Sequence, residues 1–370
     1  MSRAFATIAT KSYLAHVRAL HASICEFHDY PLYVAFADDI EGFVDPAQEK
    51  FITLRLEDYF DDANAAMTFY YTPFELCTAL RPFLHAFLLK HTDVDTWIFL
   101  DSDIQVLAPL DDVFARLDKV PILLSPHLLR PVPAALKDYE THILRYGIYN
   151  GGFLGLKRCF TTEQFLDWFR DRLITHCFND EGHLFVDQLW LNFVPLFFRD
   201  SETIAHEGAN VAYWNLHERR LQRCASDRTR YRANGQPLLF VHFSCWSEER
   251  PDDWSYGRPV SDPEQASLMA EIGRAYAKRL AACGLETCRA WPYSFATFHD
   301  GSPITLRMRR VYYEAVAKGE MPPGSPFALS DWFRPNSGLA QRAKRFAQRM
   351  SWRIREAADR SRSNMSRGCL

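Results

Sequence analysis

The stretch whose reading decides the fold is Thr96-Trp97-Ile98-Phe99-Leu100-Asp101-Ser102-Asp103. The apolar run after Thr96 suits a strand covered on both faces, because such strands are continuously hydrophobic rather than alternating. It stops abruptly at two carboxylates one residue apart. In an open α/β sheet, ligands bind just beyond the carboxyl ends of the strands. Two carboxylates so close together repel unless a cation or a proton lies between them. Asp101, Ser102 and Asp103 are oxygen donors, which suit Mg2+ or Mn2+ rather than zinc. A second tripeptide of the same form, Asp93-Val94-Asp95, follows His91-Thr92 in a polar stretch and reads as a solvated loop. Position at a strand end, not the tripeptide alone, carries the inference.

Upstream, Ala4-Phe5-Ala6-Thr7-Ile8-Ala9 reads as a strand, residues 12–28 as a helix, and Pro31-Leu32-Tyr33-Val34-Ala35-Phe36-Ala37 as a second strand closed by Asp38-Asp39. That opening βαβ unit is what a parallel sheet requires. Thr72-Pro73-Phe74-Glu75 has the grammar of a helix start, with Thr as the cap, Pro in the first turn and Glu three residues after the cap. The helix is expected to run toward Lys90 and to kink at Pro82. Downstream, residues 120–124, 152–156 and 237–243 read as strands, and 265–283 as a helix. The expected fold class is α/β: a mixed, mostly parallel sheet with flanking helices and a small, mainly helical C-terminal appendage. Residues 1–250 form the main domain in this reading, 251–336 the appendage and 337–370 a basic amphipathic tail.

Composition narrows the class. The chain has 370 residues with 48% hydrophobic and 14% aromatic content, too much apolar bulk for disorder. A net charge of −3 gives no reason to expect nucleic acid as a partner. The nine cysteines are scattered and form no C-x-x-C pair, which argues against a disulfide framework or a zinc knuckle and for a reducing compartment. Met1-Ser2-Arg3-Ala4-Phe5 enters a strand-like stretch without the apolar core of a signal peptide, and no uninterrupted apolar window is long enough for a membrane span. A cytoplasmic location is expected.

Taken in order, several elements together resemble the GT-A (Rossmann-like nucleotide-diphospho-sugar transferase) glycosyltransferases, nearest in pattern to glycosyltransferase family 8. They are Ala6-Thr7-Ile8-Ala9-Thr10, Leu80-Arg81, Ile98-Phe99-Leu100-Asp101-Ser102-Asp103, Tyr149-Asn150-Gly151-Gly152-Phe153-Leu154, Asp187-Gln188 with Asn192, and Phe240-Val241-His242-Phe243. The resemblance covers roughly residues 4–245. It implies a metal-dependent transferase that moves a sugar from a nucleoside-diphosphate donor, a UDP-sugar by preference, to a hydroxyl acceptor with retention of configuration.

Roles follow from the resemblance residue by residue. Asp101, Asp103 and His242 would hold Mn2+ or Mg2+. Thr7, Ala9, Thr10, Asp38, Arg81, Asp101, Ser102, Asn150, Gly151 and Gly152 would line the nucleotide and donor sugar. Asp187 and Gln188 would flank the anomeric carbon as the catalytic pair. Asn150-Gly151-Gly152 would be a turn whose two glycines permit positive φ and close ligand approach. Each role has a plainer reading beside it: a hydrogen-bonded core histidine for His242, a surface ion pair for Arg81, helix caps for Asp38 and Asp187, and an ordinary hairpin or strand-entry turn for Asn150-Gly151-Gly152. The chain departs from the family after His242, where Ser244-Cys245-Trp246-Ser247-Glu248-Glu249-Arg250 replaces a glycine and a Lys-Pro-Trp. The usual lysine partner of the diphosphate is therefore not identifiable.

Two other classes stay open. One is a metal-dependent phosphohydrolase with Asp101 as nucleophile, although its motif belongs on the first strand with Thr or Val where this chain has Gln105. The other is a non-catalytic binding protein that keeps the fold. The acceptor would be a glycan, a lipid-linked molecule or a protein, for which aromatics such as Trp254, Trp291 and Tyr293 would supply a stacking platform. In the tail, nine Lys/Arg residues stand against Glu356 and Asp359, while Leu339, Ala343, Phe346, Met350, Ile354 and Ala357 fall on one helical face. Such a helix suits either an anionic lipid surface, at the inner face of the membrane, or docking on the acidic body.

Overall fold

The computed structural model describes residues 1–180, 184–224, 231–256, 262–321 and 323–333. The expected tail lies outside the described residues. Contacts divide the described residues into two compact units, one drawn from 1–65 and 73–294, the other from Ala66–Thr72 with the described residues that follow Ser294.

The first unit is built on a seven-stranded sheet. Its strands include β1 (Arg3–Ala9), β2 (Leu32–Phe36), β3 (Ile52–Leu54) and β4 (Thr96–Leu100). After the two-carboxylate turn come β5 (Ile104–Val106), β6 (Ile122–Pro126) and β7 (Tyr149–Lys157). Across the sheet the order is Glu202–Thr203, β6, β7, β4, β1, β2, β3. All neighbours pair in parallel except β7, which runs antiparallel to both β4 and β6. This is the mixed, mostly parallel sheet with flanking helices that the sequence implied. The opening unit is β1, the helix Leu14–Cys25 and β2. All five residues of β4 are buried, Trp97 through Leu100 with no exposed surface at all, which is why its sequence carries no alternation.

Two local expectations change. The helix expected to kink at Pro82 is two helices, Pro73–Ala79 and Arg81–His91. Proline sits in the first turn of the second, where its missing N–H costs nothing, so it marks a new start rather than a bend. The strand expected over 237–243 is divided. Gln236–Pro237 closes a small sheet with Leu221–Arg223 and Tyr231–Ala233, and Phe240–His242 pairs antiparallel with β5. The described residues between 251 and 294 lie with the first unit: Tyr276 of the helix Pro263–Ala282 stacks on Phe243 at 3.9 Å, and Trp254 donates from Nε1 to the Met269 carbonyl at 2.7 Å. No helix among the described residues is long and apolar enough to cross a membrane.

The second unit gathers around Phe69. Its ring lies 4.5 Å from Tyr312, 5.3 Å from Phe327 and 5.8 Å from both Phe298 and Phe333, between centroids. Arg309, on the helix Leu306–Ala317, ties the unit together through the carbonyls of Phe69, Tyr71 and Phe295.

The helix Arg81–His91 is fastened to the sheet by Arg158, just beyond β7. Its guanidinium donates to the carbonyls of Leu88, Leu89, Thr92 and Val94, acceptors at and beyond the helix end, where the backbone carbonyls run out of intrahelical donors. Replacing Arg158 with Ala should cost about 2 kcal/mol, read as a lowered urea midpoint. A second prediction concerns acid. His85 on the same helix is fully buried and accepts the Trp97 indole N–H at Nδ1, 3.1 Å away. Burial, with Arg81 nearby, holds its imidazole down at about 3. The unfolded chain therefore takes up a proton that the native state refuses, and stability falls as pH drops from about 6.5 toward that value, by up to about 1.4 kcal/mol per pH unit. His85→Gln, which keeps an acceptor for Trp97, should flatten the pH dependence of the unfolding midpoint by about one proton's worth.

Candidate active site

The site grows from the end of β4. The Asp101 N–H donates to the Gly152 carbonyl at 2.9 Å, and the Ile104 N–H closes a tight turn onto the Asp101 carbonyl at 3.0 Å. That turn sends β5 away alongside Phe240–His242, with His242 opposite Ile104. The Phe243 N–H then donates to the Asp103 carbonyl at 3.0 Å. Strand pairing thus delivers the His242 ring to the acidic turn. Nε2 lies 3.2 Å from Asp103 Oδ1 and 3.9 Å from Asp101 Oδ2. The three ligand atoms available lie within 4.8 Å of one another.

The charges are tightly linked. Burial disfavours the charged form of Asp103, but His242 outweighs it and holds the carboxyl below its ordinary range. Burial likewise lowers His242, and Asp103 and Asp101 reverse the sign and raise it. Two carboxylates and one imidazole converging on a single point form a donor set that fits a divalent cation of the Mn2+ or Mg2+ kind. The backbone is shaped for that ring: a Cβ on Gly152 would stand 2.4 Å from His242 Cε1.

Asp187 and Gln188 reach the same place from the other side of β7. Asp187 opens the 3-10 turn Gln188–Phe193 but makes no side-chain cap, so the capping reading does not describe it. Its carboxylate accepts instead from Arg81 at 2.7 Å, and the other end of that guanidinium meets Asp101 at 2.5 Å. Arg81 also donates to the Gly151 carbonyl at 2.7 Å and lies 4.8 Å over the Phe99 ring. It is buried, so the surface ion pair is excluded. One cation serves two acids, and Asp187 is the more deeply buried. Burial pushes its carboxyl up to about 6 against the pull of Arg81.

Gln188 accepts from the Gly151 N–H at 2.9 Å and from Asn150 Nδ2 at 3.0 Å, and Asn192 accepts from the Ile148 N–H at 2.8 Å. Asn150-Gly151-Gly152, expected as a turn, is the start of β7, and neither glycine has a positive φ. They are glycines because side chains cross over them. A Cβ on Gly151 would lie 2.7 Å from the Arg81 guanidinium.

The remaining candidates stand at or near the ends of β1 and β2. Thr7 lies fully buried inside β1, whereas Ala9 and Thr10 mark its carboxyl end. Thr10 Oγ1 is 2.9 Å from Ser12 Oγ. Asp38 is buried with both oxygens engaged by Lys11, one by its N–H at 2.9 Å and the other by Nζ at 3.2 Å. Ser102 is buried between the two acids in sequence.

Sequence reasoning missed Lys11, whose ammonium also reaches the Asp39 carbonyl and Ser294 Oγ, because a lysine between Thr10 and Ser12 reads as surface. It also missed His127, Asn210 and Trp214. Asn210 Oδ1 lies 3.3 Å from His242 Nδ1, and Trp214 presents its edge to both His242 and His127 at 5.2 Å. The available signal was Asn210 itself, a residue type that tolerates the left-handed φ of 53° found there.

No family model matches the chain. It is 27% identical over 173 residues to the uncharacterized protein YfnF of Bacillus subtilis, a match covering 46% of this chain and 56% of that protein. To YfnD of the same organism it is 25% identical over 251 residues, 65% of this chain and 76% of YfnD. The chain thus spans little more than half the length of YfnF. Among solved structures it is similar to the glycosyltransferase GlyE of Streptococcus pneumoniae, at 14% identity and TM-score 0.44, covering 80% of this chain and 67% of that one. It is also similar to the galactosyltransferase LgtC in complex with donor and acceptor sugar analogs, at 15% identity and TM-score 0.42, covering 76% and 96%. Mouse xyloside xylosyltransferase 1 is similar at 12% identity and TM-score 0.41, covering 66% and 98%.

Proposed function

We propose that the protein is a metal-dependent glycosyltransferase that moves a sugar from a nucleoside-diphosphate donor, a UDP-sugar by preference, to a hydroxyl acceptor with retention of configuration. The observation that carries this reading is the grouping of Asp101, Asp103 and His242 at the carboxyl end of β4, with Asp187 tied to Asp101 through Arg81. A divalent cation held there would supply Lewis-acid neutralisation of a departing diphosphate. The protein's own groups do the rest. In this reading the Asp187 carboxylate and the Gln188 amide oxygen would face the sugar as it acquires oxocarbenium character. The bond from the anomeric carbon to the diphosphate breaks as the bond to the acceptor oxygen forms on the same face, and the acceptor proton leaves with the departing phosphate oxygen. In this reading the protein works in the cytoplasm on a glycan, lipid-linked or protein acceptor.

Thermal unfolding with UDP, GDP or CMP, each with and without Mn2+, tests the reading directly. UDP should raise Tm only when Mn2+ is present, since a ligand that binds the native state alone stabilises it by mass action. Asp103→Ala should lose that Mn2+-dependent stabilisation and, by calorimetry, Mn2+-dependent UDP binding; retained binding would refute the metal centre. Asp187→Ala and Gln188→Ala should each lower kcat for donor turnover by about 100-fold or more, and Asp187→Ala should leave UDP affinity within a few-fold, as expected of a group that acts mainly on the transition state. Unchanged turnover in both would remove them from the reaction.

A further inference from the structure

Which ring nitrogen of His242 carries its proton is dictated from the backbone of β7. The Gly151 N–H donates to Gln188 Oε1 at 2.9 Å, and Gln188 Nε2 donates to the Tyr146 carbonyl at 2.8 Å, so main-chain groups at both ends orient that amide. Its oxygen also faces Asn150 Nδ2 at 3.0 Å, a place only a donor can occupy. Independently, the Gly152 N–H donates to Asn150 Oδ1 at 3.1 Å, requiring the same orientation. The oxygen end of Asn150 is thus the end that meets His242 Nδ1, at 3.2 Å. Asn210 adds a second amide oxygen at 3.3 Å while its Nδ2 donates to Ser125 Oγ and Asn150 Oδ1, each at 3.1 Å. A parallel bridge between Val211 and Val241 fixes Asn210 in that register. The ring cannot swing away: Trp214 meets it edge-on at 88°, and the bare face of Gly152 lies against it.

Resting on the metal-dependent reading above, we propose that Asn150 and Asn210 are positioning residues that hold His242 in its Nδ1-protonated tautomer and so present the Nε2 lone pair to the cation. Two amide oxygens facing Nδ1 can be satisfied only by an N–H, which leaves Nε2 to point at the acidic pair. Asn150 is then spent on this task. Its Nδ2 is engaged by Gln188, with His127 Nε2 at 3.4 Å, and its oxygen serves three donors, which leaves no free group for a donor sugar. Gln188 acquires a second duty as the residue that aims Asn150.

The test is Mn2+ titration of the full chain without nucleotide, followed by calorimetry and by the Mn2+ electron paramagnetic resonance signal. Asn150→Ala should weaken Mn2+ by about 10- to 100-fold. Asn150→Asp, which keeps an oxygen toward Nδ1 but cannot donate to Gln188, should stay close to the wild type. Asn210→Leu, which leaves β7 untouched, should also weaken Mn2+. Wild-type affinity in both Asn150→Ala and Asn210→Leu overturns the proposal. So does equal loss in Asn150→Ala and Asn150→Asp, because a residue that merely supports β7 would not be rescued by an acceptor. Nitrogen-15 spectra of the Mg2+-loaded wild type should place the His242 proton on Nδ1, and a proton on Nε2 overturns the proposal without any variant. A wild type that binds no Mn2+ removes the metal centre and this inference with it, whereas tight wild-type binding with indifferent variants removes the inference alone.

Discussion

The constraint on which the site depends is a single buried guanidinium with two claimants. Arg81 reaches Asp101 with one terminal nitrogen and Asp187 with the other, and the nitrogen that meets Asp187 also donates to the Gly151 carbonyl. A cation taken out of water must be paired on every side, and the carboxylates that pair it lose their freedom in return. Only the planar fork of arginine can face two acids and a carbonyl at once; a lysine ammonium would serve one direction well and the others badly. The acid at the end of β4 and the acid before Gln188 are therefore placed by one group, although they come from distant parts of the chain.

The sheet makes this meeting possible. Because β7 runs against β4, its first residues lie beside the last residues of β4, and Asn150-Gly151-Gly152 adjoins Asp101. A parallel β7 would have put its other end there. The two glycines let Arg81 and His242 press directly onto the strand backbone. A charged link through Arg81 then runs from Asp101 to Asp187, and a neutral one through Asn150 runs from His242 to Gln188.

Much of this was legible in the sequence. The apolar run ending in Asp101-Ser102-Asp103 announces a buried strand and its acidic end, and the opening βαβ unit announces parallel pairing. Burial periodicity carries both. The sequence also singled out Arg81, Asp187, Gln188 and His242, and the structure brings their side chains together. What it could not carry was direction and partnership. Asn150-Gly151-Gly152 reads as a turn because glycine permits positive φ and close approach; the approach is there, but it is made by Arg81 and His242, residues far away in sequence, on a strand with no positive φ. Lys11 hides because nothing local says that an ammonium will be buried against Asp38, Asp39 and Ser294. Pro82 misleads in a simpler way, since a proline in a helix interior and one in a first turn look alike until the break at Leu80 is seen.

The pairing of β5 with Phe240–His242 has a consequence for how the molecule comes to exist. During synthesis the acidic turn emerges long before its imidazole, and the intervening chain forms a large loop whose closure is slow relative to local helix formation. For that interval Asp103 stands without its imidazole, while Asp101 already has Arg81, made earlier in the chain, as its partner. Completion of the cation-binding cage is then a late event, dependent on a distant segment arriving, and any fragment ending before residue 242 would carry the acids without the ring that completes them.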